Sequence, residues 1–161
     1  MLYLLDANVL ITANRTYYPL ERVPEYWTWL VNCGNQGQVK VPQEMYDEIN
    51  KGKDDLKCWL RNNRDALLLD EDVDAGFVKI VLASYASDLN DVEIEAIGAD
   101  PFLIAYALVD PAQRSVVTTE GSKPSATRAN RKIPDVCRDL MIECDTPFDL
   151  NRTLNFSTNW R

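Results

Sequence analysis

Short apolar runs alternate with amphipathic stretches along the chain, and this alternation predicts strands and helices in turn. The apolar runs predict strands at residues 2–5, 39–41, 66–69, 115–118 and 141–142. Apolar spacing, together with proline and cap residues, predicts helices at residues 24–33, 42–50, 72–86, 91–97, 101–108 and 134–140. A further helix is predicted to follow Asp54, with Leu56, Trp59 and Leu60 on one face.

Strands that alternate with helices are typical of an α/β domain with a parallel sheet. We therefore predict a three-layer α/β/α fold around a central, mainly parallel sheet of four to five strands. The 161 residues suffice for one sizeable core, and no repeat or linker divides them. A single domain over residues 1–161 is expected.

Acidic side chains stand where three of these elements begin or end. Asp6 directly follows the first apolar run, Asp100 precedes Pro101 at the start of a helix, and Glu120 follows the strand at 115–118. A carboxylate is rarely placed at the end of a buried strand without a partner or a metal. In open parallel sheets the carboxyl ends of the strands are also where ligands bind.

The composition excludes several kinds of chemistry. The chain has no histidine, which removes Ser-His and Cys-His catalysis and His-ligated zinc. Its four cysteines form no CxxC pair, so we expect reduced thiols of a cytoplasmic protein and mainly buried ones. The N-terminus lacks the basic flank of a signal peptide, and the apolar runs are too short to span a bilayer.

The charge of the chain bears on its partners. A net charge of −8 counts against a nucleic-acid binder unless basic residues are concentrated locally. Residues 122–134 contain no acid and directly follow Glu120, and they carry Lys123, Arg128, Arg131 and Lys132. This segment could bind an RNA backbone beside an acidic site, or it could be a solvated loop.

Four acids have the chemistry of a two-metal phosphodiesterase site. Such a site needs three or four oxygen ligands that converge on Mg²⁺ or Mn²⁺ from different elements. The candidates are Asp6, Glu48, Asp100 and Glu120. Simpler explanations exist for three of them: Asp100 as an ordinary N-cap, Glu48 on a solvated helix face, and Glu120 as a loop charge.

The segments around these acids resemble the motifs of PIN-domain nucleases, in the order that this family has. The first motif contains Asp6 and reads LLDANVLI, and the second contains Glu48 and reads PQEMYDEI. The third contains Asp100 and reads ADPFLIAYA, and the fourth contains Glu120 and reads VVTTE. With the later segment IPDVC, the detailed form is similar to a bacterial and archaeal PIN-like subfamily.

The resemblance implies a function and a set of residue roles. It implies a PIN fold and RNA hydrolysis that leaves 5′-phosphate and 3′-hydroxyl ends. The four acids would bind the metal ions, and Asn8, Thr118 and Thr119 would hydrogen-bond the carboxylates or the scissile phosphate. The fourth acid is Glu where Asp is commoner in the family, and Asp135 is also available for that place.

The resemblance also implies a biological setting, a toxin-like ribonuclease of the VapC type. Its partners would be RNA and a cognate antitoxin protein, and a homodimer is an oligomeric state that we keep open. Two other functions are weighed against this one. A non-catalytic PIN domain would only bind RNA or a partner, and an aspartate-nucleophile phosphatase would need a second Asp where this chain has Asn8.

Overall fold

The fold is built on a sheet of four parallel strands. A computed structural model describes residues 1–160, and Arg161, the last residue of the predicted domain, lies outside them. The strands are β1 (Leu2–Leu5), β2 (Val39–Lys40), β3 (Arg114–Val117) and β4 (Glu143–Asp145). They lie in the order β2-β1-β3-β4, and each neighbouring pair is parallel. The predicted α/β class and parallel sheet are confirmed.

Helices flank the sheet in a three-layer α/β/α arrangement. Residues 1–160 form ten α-helices: α1 (Ala7–Thr12), α2 (Pro24–Asn35), α3 (Gln43–Asn50), α4 (Asp55–Asn62), α5 (Arg64–Leu67), α6 (Ala75–Tyr85), α7 (Asp91–Ile97), α8 (Asp100–Leu108), α9 (Ile133–Asp139) and α10 (Pro147–Thr153). A π-helical segment, Ala13–Tyr17, continues α1. No helix among these residues combines the length and apolar character needed to span a bilayer.

The two central strands and α8 form the middle of the core. Leu4, Leu5, Val116 and Val117 are completely buried, as expected for strands covered on both faces. Helix α8 packs against β1, β3 and α6. Its residues 103–107 are all buried, so the helix has almost no polar face after its first turn.

The strand order reverses between β1 and β3. After β1 the chain adds β2 on one side, and it then returns to place β3 on the other side of β1. In doubly wound sheets, ligands bind outside the carboxyl ends of the strands at such a reversal. The carboxyl ends of β1 and β3 therefore mark the place where a functional site is expected.

Several details differ from the sequence-based prediction. Residues 64–67 form α5, and a single parallel bridge between Leu68 and Val41 replaces the strand predicted at 66–69. A short apolar run has the same pattern in a buried helix and in a strand, which explains the error. Met141 has a φ of 57° in the turn after α9, so the last strand starts at Glu143.

Another detail concerns α6, where Ile80 was expected in the core and is 49% exposed. Val81 and Tyr85, four residues apart, are the positions that α6 buries. Two helical segments were also missed: the one that follows Asp6, and α10. The latter begins with a capping box formed by Thr146 and Asp149, a signal that was present in the sequence.

The four cysteines are free thiols, as predicted, and no two of them have CxxC spacing. Cys33 and Cys137 are buried, Cys144 is half-buried and Cys58 is exposed. The expectation that they serve mainly as small apolar side chains therefore applies to three of them.

Gly34 sets the distance between α2 and α5, and this close approach generates a prediction. A Cβ atom at Gly34 would lie 2.6 Å from the carbonyl oxygen of Ala66 and 2.8 Å from a methyl carbon of Leu67. Overpacking of this kind typically costs about 1–3 kcal/mol. We expect Gly34→Ala to lower the free energy of unfolding by about that amount in urea denaturation. Gly121→Ala, with nothing within 4 Å of its new Cβ, should change it by less than about 0.5 kcal/mol.

Candidate metal centre

Asp6 is held at the carboxyl ends of the two central strands. Its side chain is 3% exposed, and one carboxylate oxygen accepts a hydrogen bond from the Asn8 N–H at 3.4 Å, which caps α1. The other oxygen accepts a hydrogen bond of 2.8 Å from the hydroxyl of Thr118. The Asp6 N–H donates to the carbonyl of Val117 at 2.9 Å. Both β1 and the residue after β3 therefore fix the position of this carboxylate.

Asp100 is not the N-cap of α8. Ala99 occupies the N-cap position, and α8 has no side-chain cap hydrogen bond. The predicted capping role of Asp100 is therefore wrong, because Asp100 is already the first helical residue. The side chain is half-buried, and within residues 1–160 its carboxylate forms no hydrogen bond or ion pair. The capping explanation, the strongest competing account of this acid, does not apply.

The charges of four carboxylates act on one another at this edge of the sheet. Burial raises the pKa of Asp6 to about 6, and the negative charges of Glu48 and Glu120 add to the effect of burial. The pKa of Asp100 is raised to about 7, by burial above all and also by the charges of Asp6, Glu120 and Glu48. The charge of Lys132 opposes this increase. The structure thus brings all four predicted acids into one electrostatic neighbourhood.

Glu48 and Glu120 are the more accessible members of this group. Glu48 is exposed on α3. Glu120 is half-buried, and its two carboxylate oxygens accept hydrogen bonds from the Lys132 ammonium at 3.0 Å and from the Ile133 N–H at 2.9 Å. Glu120 is therefore already bound to the segment that begins α9.

Tyr85 is a member of the neighbourhood that the sequence did not reveal. Its ring is buried on α6 with 4% exposure, and its hydroxyl oxygen is buried without a hydrogen-bond partner in residues 1–160. Burial raises the pKa of Tyr85, and the charges of Asp100 and Glu120 raise it further. The sequence pattern placed Tyr85 only on a core-facing stripe, and nothing in it indicates where the hydroxyl points.

The oxygen atoms of these side chains suit a hard divalent cation, although the carboxylates do not converge on a single point. In residues 1–160, no three Asp, Glu or Cys side chains lie close enough together to hold a metal ion directly. Like charges in this neighbourhood repel one another, and Glu120 is hydrogen-bonded to Lys132 at 3.0 Å. Asp6 and Asp100 nevertheless form no ion pair within residues 1–160, and the unpartnered hydroxyl of Tyr85 lies near Asp100. Oxygen donors of this kind suit Mg²⁺ or Mn²⁺.

The residues predicted to support the acids differ in what they do. The Thr118 hydroxyl holds Asp6 and also accepts a hydrogen bond of 3.1 Å from the Glu120 N–H. Asn8 contributes its backbone N–H, while its side chain is exposed. Thr119 is exposed as well. Of the three, Thr118 is the residue that positions the candidate site.

Asp135 belongs to a different set of contacts. It is 1% exposed, and its carboxylate accepts hydrogen bonds from the Ser122 hydroxyl at 2.5 Å, the Lys123 N–H at 2.7 Å and the Arg138 guanidinium at 2.9 Å. These hydrogen bonds, the one from Ser122 above all, hold the pKa of Asp135 below its usual range. Asp135 thus anchors the segment after Glu120 to α9.

Three of the four cations predicted to bind RNA are bound to acids of the chain itself. Arg128 forms ion pairs with Glu93 at 2.6 Å and with Asp88 at 2.7 Å. The ion pairs of Arg131 and Lys132 are with Asp139 and Glu120. Only Lys123 is exposed and has no side-chain ion pair in the described part of the chain. The basic segment is therefore neither freely solvated nor free to bind phosphates with all its cations.

The chain belongs to the family described as a domain of unknown function, DUF4411, whose model matches residues 3–158. No curated protein and no solved structure matches the chain. The matched span includes every acid of the candidate site. Membership in this family thus covers nearly the whole fold, and the likeness to PIN-domain nucleases stays a prediction.

The raised pKa values predict how stability depends on pH in the absence of metal. Because the folded-state pKa values of Asp6 and Asp100 lie above the ordinary 3.8, the folded protein binds more protons than the unfolded chain between about pH 4 and pH 7. Stability therefore falls as the pH rises through this window. We expect the free energy of unfolding in chelator to be larger at pH 5.5 than at pH 8, by on the order of a few kcal/mol.

Denaturant titrations at the two pH values measure this difference, and the absence of histidine leaves the window clear of imidazole titration. Asp100→Asn should remove much of the dependence, whereas Asp47→Asn, on the exposed face of α3, should retain it. A wild type that is equally stable at both pH values would contradict the raised pKa values of Asp6 and Asp100.

A second prediction separates Glu120 from Asp135. Glu120→Gln should weaken Mn²⁺ binding in calorimetric titration and leave the fold intact, because Gln can still accept the bond from the Ile133 N–H. Asp135→Asn should leave Mn²⁺ affinity near that of the wild type. It should cost about 1–3 kcal/mol of stability, because Asn loses charge-assisted hydrogen bonds at a buried position. The reverse pattern would assign Asp135 to the metal centre.

Proposed function

We propose that this protein is a metal-dependent endoribonuclease that hydrolyses RNA phosphodiester bonds with Mg²⁺ or Mn²⁺. One observation carries the proposal: Asp6 and Asp100 come from different elements to the strand-order reversal, and both have raised pKa values and no ion pair within the described residues. A buried or half-buried carboxylate that forms no ion pair is costly unless it binds a cation. Perturbed carboxylates at the ligand-binding edge of a sheet are typical of functional sites.

The residues of the chain have distinct roles in this proposal. Asp6 and Asp100 would hold the metal from inside, and Glu48 and Glu120 would complete the ligands from the more accessible side. When bound, Mg²⁺ or Mn²⁺ supplies a Lewis acid that lowers the pKa of water and neutralises charge on the phosphate. A histidine base is not needed for such chemistry, which suits a chain without histidine.

Three further residues prepare the site. The Thr118 hydroxyl fixes the rotamer of Asp6, and its second hydrogen bond, from the Glu120 N–H, fixes the start of the segment that carries Glu120. Lys132 lowers the pKa of Asp100 and so favours its ionised form. Tyr85 has a hydroxyl available to donate a hydrogen bond beside Asp100.

The resemblance to PIN-domain nucleases supports the same proposal, because its four motifs supply the four acids that share this neighbourhood. A toxin role, a cognate antitoxin and a homodimer stay predictions that rest on the resemblance alone. The phosphatase alternative needs an acid at Asn8, and the exposed side chain at that position is an amide.

The proposal predicts RNA cleavage that depends on a divalent metal and on the carboxylates of Asp6 and Asp100. Labelled single-stranded RNAs should be cut slowly with Mg²⁺ or Mn²⁺ and not at all in chelator. Asp6→Asn should reduce the rate by at least about a hundredfold, because it removes a charged metal ligand. The fold should survive the change, because the Asn oxygen can still accept the hydrogen bond from Thr118. Electrophoresis of the products measures the rate and the end groups.

Matched controls make the outcome specific. Glu48→Gln should reduce cleavage, whereas Asp47→Asn, its exposed neighbour on α3, should not. RNA binding without cleavage under every metal condition would favour the non-catalytic alternative. Release of phosphate from a small aryl phosphate by the wild type but not by Asp6→Asn would favour the phosphatase.

A further inference from the structure

Two aromatic side chains, Tyr17 and Phe148, differ from all the others that the structure describes. Tyr17 is 50% exposed and Phe148 is 44% exposed, while every other aromatic ring in residues 1–160 is buried or half-buried. The two rings contact each other edge to face, with their centroids 5.2 Å apart. Residues 131 positions apart in the sequence thus form one exposed aromatic pair, which we call the Tyr17–Phe148 pair.

The pair forms part of a cavity of about 300 Å³ next to the candidate metal centre. The cavity is lined by the two rings and by threonines, namely Thr12, Thr118, Thr119 and Thr146. Thr118 is the residue whose hydroxyl donates to Asp6. The cavity therefore shares a wall with the metal centre and lies at the same carboxyl edge of the sheet.

We propose that this cavity binds one unpaired nucleobase of a single-stranded nucleic acid, stacked on the Tyr17–Phe148 pair. The inference rests on the proposed nuclease function and adds to it a subsite for the base beside the scissile phosphate. A base inside a duplex has both faces covered by its neighbours, so the subsite selects unpaired nucleotides. Its volume lies at the lower end of the range for small-molecule sites, which suits a single base.

The charges of the chain favour stacking as the source of affinity. The net charge is −8, and Arg128, Arg131 and Lys132 are bound to acids of the chain. Of the four cations in residues 122–134, Lys123 alone has no ion pair within residues 1–160. Stacking on an aromatic ring contributes affinity without any protein cation and is available to every base.

The polypeptide holds the Tyr17–Phe148 pair in place before any ligand arrives. Tyr17 ends the π-helical segment, and its neighbour Tyr18 stacks on buried Tyr26 with centroids 4.3 Å apart. The Tyr18 carbonyl accepts a hydrogen bond of 2.7 Å from the Trp27 indole. Phe148 lies in the first turn of α10, which the Thr146 capping box fixes. Rigid aromatic anchors bind with little loss of conformational entropy.

The four threonine hydroxyls of the cavity differ in whether they already have hydrogen-bond partners within residues 1–160. Those of Thr118 and Thr146 bond to Asp6 and Asp149. Thr12 and Thr119 form no side-chain hydrogen bond with any part of the chain that the structure describes. A hydroxyl can donate to or accept from a base edge, so these two threonines are placed to contact the polar groups of a stacked base.

The elements that carry the Tyr17–Phe148 pair expose no further large apolar side chain. The remaining exposed large apolar side chains are Ile80 on α6, Val92 and Ile94 on α7, and Met1, Val109 and Met141 outside the helices and strands. A stable protein–protein interface buries about 800 Å² on each partner, far more than one pair of rings offers. A small ligand is therefore favoured over a protein partner.

Fluorescence anisotropy with two labelled octanucleotides tests the proposal in chelator, where the proposed cleavage does not occur. One is a single-stranded RNA with bases, and the other has the same phosphates and only abasic sugars. The wild type should bind the first at least about fivefold more tightly. Phe148→Leu and Tyr17→Leu should each weaken binding of the first by about fivefold to a hundredfold and leave binding of the second unchanged.

The controls separate stacking from general apolar contact. Phe148→Trp keeps a ring and should bind like the wild type. Val92→Ala removes an exposed apolar group on α7 and should also bind like the wild type. Equal affinity of the wild type for the two oligonucleotides, or no binding of either, overturns the proposal. A wild-type dimer that Phe148→Leu converts to a monomer in sedimentation also overturns it, because the pair is then a protein interface.

The base subsite and the nuclease function fail in different ways. If the wild type cleaves RNA with Mn²⁺ and Phe148→Leu has the same kcat/KM, the subsite is wrong and the nuclease stands. If no RNA is cleaved but binding still depends on bases and on Phe148, the nuclease is wrong and the cavity is a nucleobase site of a binding protein.

Discussion

The hydrogen bond from the Thr118 hydroxyl to the Asp6 carboxylate is the interaction on which the organisation of the site depends. It joins the residue after β1 to the residue after β3, at the point where the strand order reverses. The same hydroxyl accepts from the Glu120 N–H, so one oxygen positions both the innermost acid and the acid after β3. At 3% exposure, Asp6 would otherwise be a buried charge with a single weak backbone partner.

The distribution of cations explains how so acidic a chain can fold around a cluster of acids. Arg128, Arg131 and Lys132 follow Glu120 closely in the sequence. Arg128 binds Asp88 and Glu93, Arg131 binds Asp139, and Lys132 binds Glu120 itself. Partly buried ion pairs of this kind fix the path of a segment more than they add to total stability. Asp6 and Asp100 are left without an ion pair within residues 1–160, and burial raises the pKa of both carboxyl groups.

Much of the architecture could be predicted from the sequence, because strand and helix periods and the position of Asp6 in an apolar segment are local signals. The convergence of the acids was predicted from their positions at the ends of elements and from the resemblance of their motifs to PIN-domain nucleases. The first helical position of Asp100 was missed, because an Asp before Pro is equally consistent with an N-cap. The strand prediction at 66–69 was wrong because periodicity cannot distinguish a short buried helix from a strand.

Other features of the site depend on tertiary contacts that leave no local trace. The unpartnered hydroxyl of Tyr85 is one, and the meeting of Tyr17 with Phe148 is another. The sequence left the basic segment as either an RNA-binding or a solvated loop, because acidic partners such as Asp88 and Glu93 lie far away in the sequence. Composition shows how many charges a segment carries, and only the fold shows how they are paired.

The clamp around Arg128 has a consequence for the thermodynamics of any ligand that binds nearby. Its guanidinium donates to Glu93 and to both the side chain and the carbonyl of Asp88, although the residue itself adopts a positive φ of 53°. The segment between Glu120 and α9 is therefore ordered when the chain folds, and its loss of conformational entropy belongs to folding. A molecule that binds at the sheet edge does not have to order that segment, so its affinity is not reduced by the entropy cost of doing so.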